Sequence, residues 1–169
     1  MFSLGQKTLT LESTRIVVAS MPDTVDFVVK SPDDEIQLLV EAKSRSDATA
    51  LWASHFRRNL IAHSAMQTAP YFILALPDRL YLWKDATSAG TVTPDYTVDT
   101  GAVLQPYLSS IKSPLRDLTE QSFELVIRSW LEDLVKKNIK PDPQSPGQRW
   151  LIDSGLYDRV KDGKVKTNP

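Results

Sequence analysis

The chain has 169 residues, is 41% apolar and 24% charged and carries a net charge of −1, which suits one domain with a hydrophobic core. It has no cysteine, so disulfides, thiolate zinc sites and a cysteine nucleophile are excluded. No apolar run is long enough to span a membrane, the first residues lack a secretory pattern and neither half is strongly basic, which predicts a cytoplasmic protein without dominant nonspecific affinity for nucleic acid.

In chain order, Thr8 to Val18 alternates and then turns apolar, which predicts a strand or a short helix leading into one. Asp26-Phe27-Val28-Val29 follows a Met-Pro-Asp-Thr turn and is rich in β-formers. Ser31-Pro32-Asp33-Asp34-Glu35 is a turn, because proline presets φ and the aspartates tolerate turn geometry. Ile36 to Lys43 is a second strand, so the two form an antiparallel hairpin with a loop of about five residues. Ser46-Asp47 signals a helix start, and residues 47 to 67 carry Trp52, Phe56 and Leu60 at helical spacing, ending at Pro70. Tyr71 to Leu76 is apolar throughout, as expected of a central strand covered on both faces. Arg79 to Lys84 alternates into a further strand.

Residues 85–99 are polar and predict a loop, and residues 100–110 a short helix. Gln121 to Lys137 predicts a helix burying Phe123, Ile127, Trp130 and Leu134, capped by Thr119 or Ser122. Pro141, Pro143 and Pro146 mark a linker, followed by a short amphipathic piece around Trp150 and Leu156 and a polar tail. The expected organisation is therefore a domain over 1–140 and a linker, short helix and tail over 141–169.

Chemistry concentrates on the first hairpin. Side chains alternate along a strand, so Glu41 and Lys43 project on one face. With the turn at 31–35, Asp26 lies opposite residue 40 or 41. Two carboxylates and a lysine then converge at a strand end. Such carboxylates repel unless a cation lies between them. Mg²⁺ or Mn²⁺ would take Asp26, Glu41 and the Ala42 carbonyl as oxygen ligands. The Lys43 ammonium can orient an attacking water and offset charge developing on a phosphoryl group. Asp23, which follows Pro22, is the alternative to Asp26.

The run Asp26-Phe27-Val28-Val29 … Leu38-Leu39-Val40-Glu41-Ala42-Lys43, followed by a capped helix and another strand, resembles the PD-(D/E)XK nuclease superfamily. Trp52 to Trp83 also resembles small members of that superfamily common in cyanobacteria. The resemblance covers about residues 12–84. It implies a restriction-endonuclease-like α/β fold, a mixed sheet of four or five strands flanked by helices. It also implies Asp26 and Glu41 as metal ligands, Lys43 as the catalytic lysine, and polar residues on the following helix facing the site. Arg57 and Arg58 are candidates to hold phosphate, and Asn59 and His63, four apart on one face, to contact nucleic acid. The expected activity is Mg²⁺-dependent hydrolysis of DNA. The alternative is a nuclease-like fold used as an inactive binding module. A homodimer is left open, since no apolar surface in the sequence marks a pairing face.

Overall fold

In the computed structural model, residues 25–62, 69–84 and 92–167 are described. The strand expected over 8–18, Asp23 and His63 lie outside them. The elements are β1 (Phe27–Lys30), β2 (Ile36–Ala42), α1 (Ala50–Ala62), β3 (Tyr71–Ala75), β4 (Arg79–Lys84), β5 (Tyr96–Asp99), α2 (Thr100–Val103), α3 (Glu120–Val135), α4 (Arg149–Asp153), α5 (Leu156–Val160) and β6 (Lys164–Thr167). Two 3₁₀ turns, Gln105–Ser110 and Leu115–Asp117, lie between α2 and α3.

The fold is α/β, with one mixed sheet in the order β5-β4-β3-β2-β1-β6. Among the described strands only β2 and β3 run parallel; the other neighbours are antiparallel. A parallel pair needs a crossover, and α1 provides it. Among the described residues the sheet has six strands where four or five were expected.

Strand alternation sorts the interior into two cores. Leu38, Val40 and Ala42 of β2 join Ile73 and Leu82 under α3, α4 and α5. Leu39, Phe72, Leu74 and Trp83 face α1. All five residues of β3 are buried, as a strand covered on both sides requires. On α1 the buried line is Ala53, Ser54, Arg57 and Leu60, while Leu51 is 64% exposed. The helix is thus rotated from the expected Trp52–Phe56–Leu60 stripe, bringing the small Ala53 against the sheet and leaving Trp52 and Phe56 half-buried at its side. Its cap is Thr49, whose hydroxyl accepts the Trp52 N–H at 3.0 Å. Asp47, expected near the cap, instead takes a left-handed φ of 62° and donates its N–H to Asp78 Oδ2 at 3.0 Å.

Two expectations are corrected. Residues 85–99 are not wholly loop: Tyr96–Asp99 forms edge strand β5 on β4. Residues 141–167, expected as a linker, short helix and tail, pack onto the domain, with α4 and α5 where the short helix was expected. Trp150, Leu151, Leu156 and Val160 are buried in the α3-side core, and β6 pairs antiparallel with β1, Phe27 opposite Thr167 and Lys30 opposite Lys164. The prolines turn the chain back onto the domain. Lysines at alternate positions make β6 look like solvated tail, yet lysine is a usual guard of an exposed sheet edge.

Candidate active site

The hairpin register places the chemistry. Phe27 is opposite Val40, which sets Asp26 opposite Glu41. The Asp26 N–H donates to Glu41 Oε1 at 3.1 Å, and the Ala42 N–H donates to Asp26 Oδ2 at 2.8 Å. Leu39 lies in the α1-side core, and by alternation Glu41 and Lys43 fall on the same face of the strand. Glu41 is only 2% exposed. Lys43 follows the end of β2; its own N–H continues the parallel ladder to the Ala75 carbonyl at 3.0 Å. Its ammonium lies 3.4 Å from Glu41 Oε2 and 6.0 Å from the centre of the Phe56 ring.

A second element enters from far along the sequence. Lys43 Nζ is also 3.8 Å from Glu120 Oε2, and Glu120 Oε1 accepts the Ser44 N–H at 3.1 Å. The Ser44 hydroxyl donates to the Leu118 carbonyl at 3.1 Å. These bonds tie the start of α3 to the end of β2. Glu124, one turn further along α3, belongs to the same electrostatic neighbourhood: burial first, then the charges of Asp26 and Glu120, raise its carboxyl above the usual range. In the sequence, the acids near the Thr119 or Ser122 cap have no role beyond the helix start. Their i, i+4 spacing off the buried stripe was the available signal, but nothing local ties α3 to β2.

Glu41 is pushed up to about 7, by burial first and then by the Asp26 charge, with Lys43 pulling the other way. Burial disfavours the charged form of Lys43, but Glu41 and Glu120 outweigh it and the net shift is upward. The cluster is therefore rich in carboxylate and short of cation.

Asp26, Glu41 and Lys43, all singled out from the sequence, are brought together. Successive peptide groups on a strand face alternate sides, so the Ala42 carbonyl faces the Asp26 side like its own N–H. Among the described residues no group of three or more His, Cys, Asp or Glu side chains has the arrangement of a metal site. A cation here would rest on two carboxylates and a main-chain oxygen. That set suits a hard divalent ion that keeps several waters.

The candidates on α1 divide. Arg57 is 1% exposed, with its guanidinium 5.7 Å from the Trp83 ring centre and Asp95 as the carboxylate acting on it. Its place in the packing between helix and sheet keeps it from reaching a phosphate at the surface. Arg58 is partly exposed and bonds Asn59 Oδ1 at 3.2 Å. Asn59 is exposed.

Neither of two clefts takes Asp26, Glu41 or Lys43 into its lining. One of about 450 Å³ is lined by Ser46, Asp47, Pro77, Asp78, Leu115 and Arg116 among others. The other, about 290 Å³, lies between Phe27, Thr167 and the α3 residues Gln121, Glu124, Leu125 and Arg128. No helix among the described residues is long and apolar enough to cross a membrane. Compared with models of protein families, with curated proteins and with solved structures, the chain has no match.

Proposed function

We propose that the chain is a divalent-metal-dependent nuclease of the PD-(D/E)XK type, with DNA phosphodiesters as its substrate. The observation that carries this reading is the convergence of Asp26, Glu41 and Lys43 at the joint ends of β1 and β2, with both carboxylates held by strand amides. The residue order and spacing resemble that superfamily, and the mixed sheet with a β2–α1–β3 crossover supports the same reading.

Asp26, Glu41 and the Ala42 carbonyl would hold Mg²⁺ or Mn²⁺. A bound divalent cation supplies electrophilic stabilisation of charge on a phosphoryl oxygen. The protein's own groups do the rest. Lys43 presents N–H donors to the attacking water and to negative charge that grows in the transition state. The Phe56 ring stands 6.0 Å from the ammonium on one flank, and an apolar neighbour there would strengthen its field. Arg58 is partly exposed on α1, and Arg116 and Arg128 each line a cleft, so these three are the arginines proposed to meet a polyanion.

A second reading has its own support. Asp26 and Glu41 already accept strand amides, and the net charge of −1 gives no general attraction for nucleic acid. On that reading the fold is an inactive binding module.

Calorimetric titration with Mn²⁺ and incubation with plasmid, linear duplex, single strands and RNA separate the two. A nuclease binds Mn²⁺, loses binding in Glu41→Ala, and loses cleavage but not binding in Lys43→Ala. Cleavage confined to RNA would replace the substrate. Absence of Mn²⁺ binding would leave the binding-module reading.

A further inference from the structure

We infer that Glu120, in the first turn of α3, is a positioning residue for Lys43, sharing its ammonium with Glu41 and fixing where it stands. The inference rests on the proposed roles of Asp26, Glu41 and Lys43.

The Glu120 carboxylate spans two consecutive residues at the end of β2. Oε1 takes the Ser44 N–H at 3.1 Å, and Oε2 stands 3.8 Å from Lys43 Nζ. A carboxylate held at one oxygen presents the other in a fixed direction. Its helix is equally fixed. Thr119 caps it by accepting the Ser122 N–H at 3.1 Å, and Phe123 and Ile127 have no exposed surface. The Ser44 hydroxyl bond to Leu118 adds a third tie beside the site. Glu120 is half-exposed, but it is not a freely swinging surface acid.

Competition makes the arrangement useful. The other carboxylate in ion-pair distance of Lys43 among the described residues is Glu41, whose Oε2 is 3.4 Å away, and the Asp26 charge also acts on the ammonium. That is an oxygen a cation would need. A lysine paired with Glu41 alone neutralises a metal ligand and loses its partner when that ligand is taken. A second carboxylate 3.8 Å from the ammonium lets it be shared, and when a cation draws on Glu41 the lysine still has an anchor. Ion pairs this exposed add little to stability. Their effect is on geometry, where a misplacement of about 1 Å costs on the order of 100-fold in rate.

Glu120→Gln separates this role from a structural one. The amide oxygen can still accept the Ser44 N–H, but the charge beside Lys43 is gone. With plasmid DNA and Mn²⁺, Glu120→Gln lowers kcat by about 10-fold or more, while KM, Mn²⁺ affinity and Tm stay at the native values. Glu120→Asp restores part of the rate. Loss of kcat only in step with Tm, or no loss, overturns the inference. A second measurement does not depend on activity. Amine-reactive labelling with peptide mapping compares Lys43 with the exposed Lys136 as internal reference. Lys43 is labelled several-fold faster in Glu120→Gln than in the native chain, and equal rates overturn the pairing. Should the native chain neither bind Mn²⁺ nor cut DNA, the nuclease reading fails, and the labelling ratio still decides whether Glu120 holds Lys43.

Discussion

Asp26 and Glu41 hold each other through the backbone of the hairpin: the Asp26 N–H donates to Glu41 Oε1 at 3.1 Å, while Asp26 Oδ2 takes the amide of the residue after Glu41 at 2.8 Å. The two acids are thus fixed side by side, and one of them is 2% exposed. Fixing like charges in a poorly solvated place opposes folding, a cost that sites kept for function commonly carry.

Glu41→Gln tests that cost. The amide oxygen can still accept the Asp26 N–H, and the repulsion with Asp26 disappears. In cation-free buffer near pH 8 the variant melts higher than the native chain, by roughly 5 °C on the scaling of about 2–4 °C per kcal/mol for this chain length, and it no longer binds Mn²⁺. A lower melting temperature would mean that the Lys43 pair outweighs the Asp26 repulsion.

The same carboxyl sets a pH dependence. Glu41 is raised from 4.5 to about 7 by burial and by Asp26. Between those values the folded chain keeps a proton that the unfolded chain has lost. Its contribution to stability is therefore fully present below about 4.5, falls as pH rises toward 7 and is constant above. At about 1.4 kcal/mol per unit the fall is of the order of 3 kcal/mol. Urea unfolding of the native chain and of Glu41→Gln, each with chelator, isolates it, because the lowered carboxyls of Asp34 and Asp133 act in both and at more acid pH. The native-minus-variant difference becomes less favourable across this window. A difference that improves with pH contradicts the assignment.

Gly163 tests whether the C-terminal strand belongs to the domain. A Cβ there would lie 2.1 Å from the Lys30 carbonyl oxygen and 2.8 Å from that of Val160. Both are backbone atoms that cannot swing aside. Gly163→Ala pushes β6 off β1 and costs about 1–3 kcal/mol, as overpacking does. Since Phe27 is opposite Thr167, amide exchange at residues 27–30 and 164–167 speeds up most. Unchanged exchange there would return 164–167 to the status of a tail.

Much of this was legible because it is local. The turn at 31–35 fixes the register that sets Asp26 against Glu41, and the unbroken apolar run of Tyr71–Leu76 can only be an inner strand. What escaped depends on long-range contacts. Tyr96–Asp99 and Lys164–Thr167 are short edge strands whose exposed faces mimic loop sequence, and only pairing with β4 and β1 makes them strands. Glu120 resembled a capping acid because its partners, Lys43 and Ser44, lie across the fold. Arg57 reads in the sequence as a candidate to hold phosphate because arginine is rarely this buried; the rotation of α1 that lets Ala53 approach the sheet carries it inward.

That burial separates the two neighbouring arginines by experiment. Arg57 packs its guanidinium over Trp83 with 1% exposure, and burial works against its charge while Asp95 supports it. Arg57→Ala removes packing as well as charge and lowers stability by about 2–4 kcal/mol, in the range of core truncations. Arg58, partly exposed on the same turn, would act on ligand under the proposed function. Arg58→Ala leaves Tm within about 1 °C, as surface changes do. It weakens binding of single-stranded or duplex DNA and reduces the slope of log K against log salt by about 1 if it contacts one phosphate. Fluorescence anisotropy at several salt concentrations, with Ca²⁺ in place of Mg²⁺, measures both quantities. An unchanged slope removes α1 from the DNA path and leaves the clefts bordered by Arg116 and Arg128 as the surface along which the strand runs.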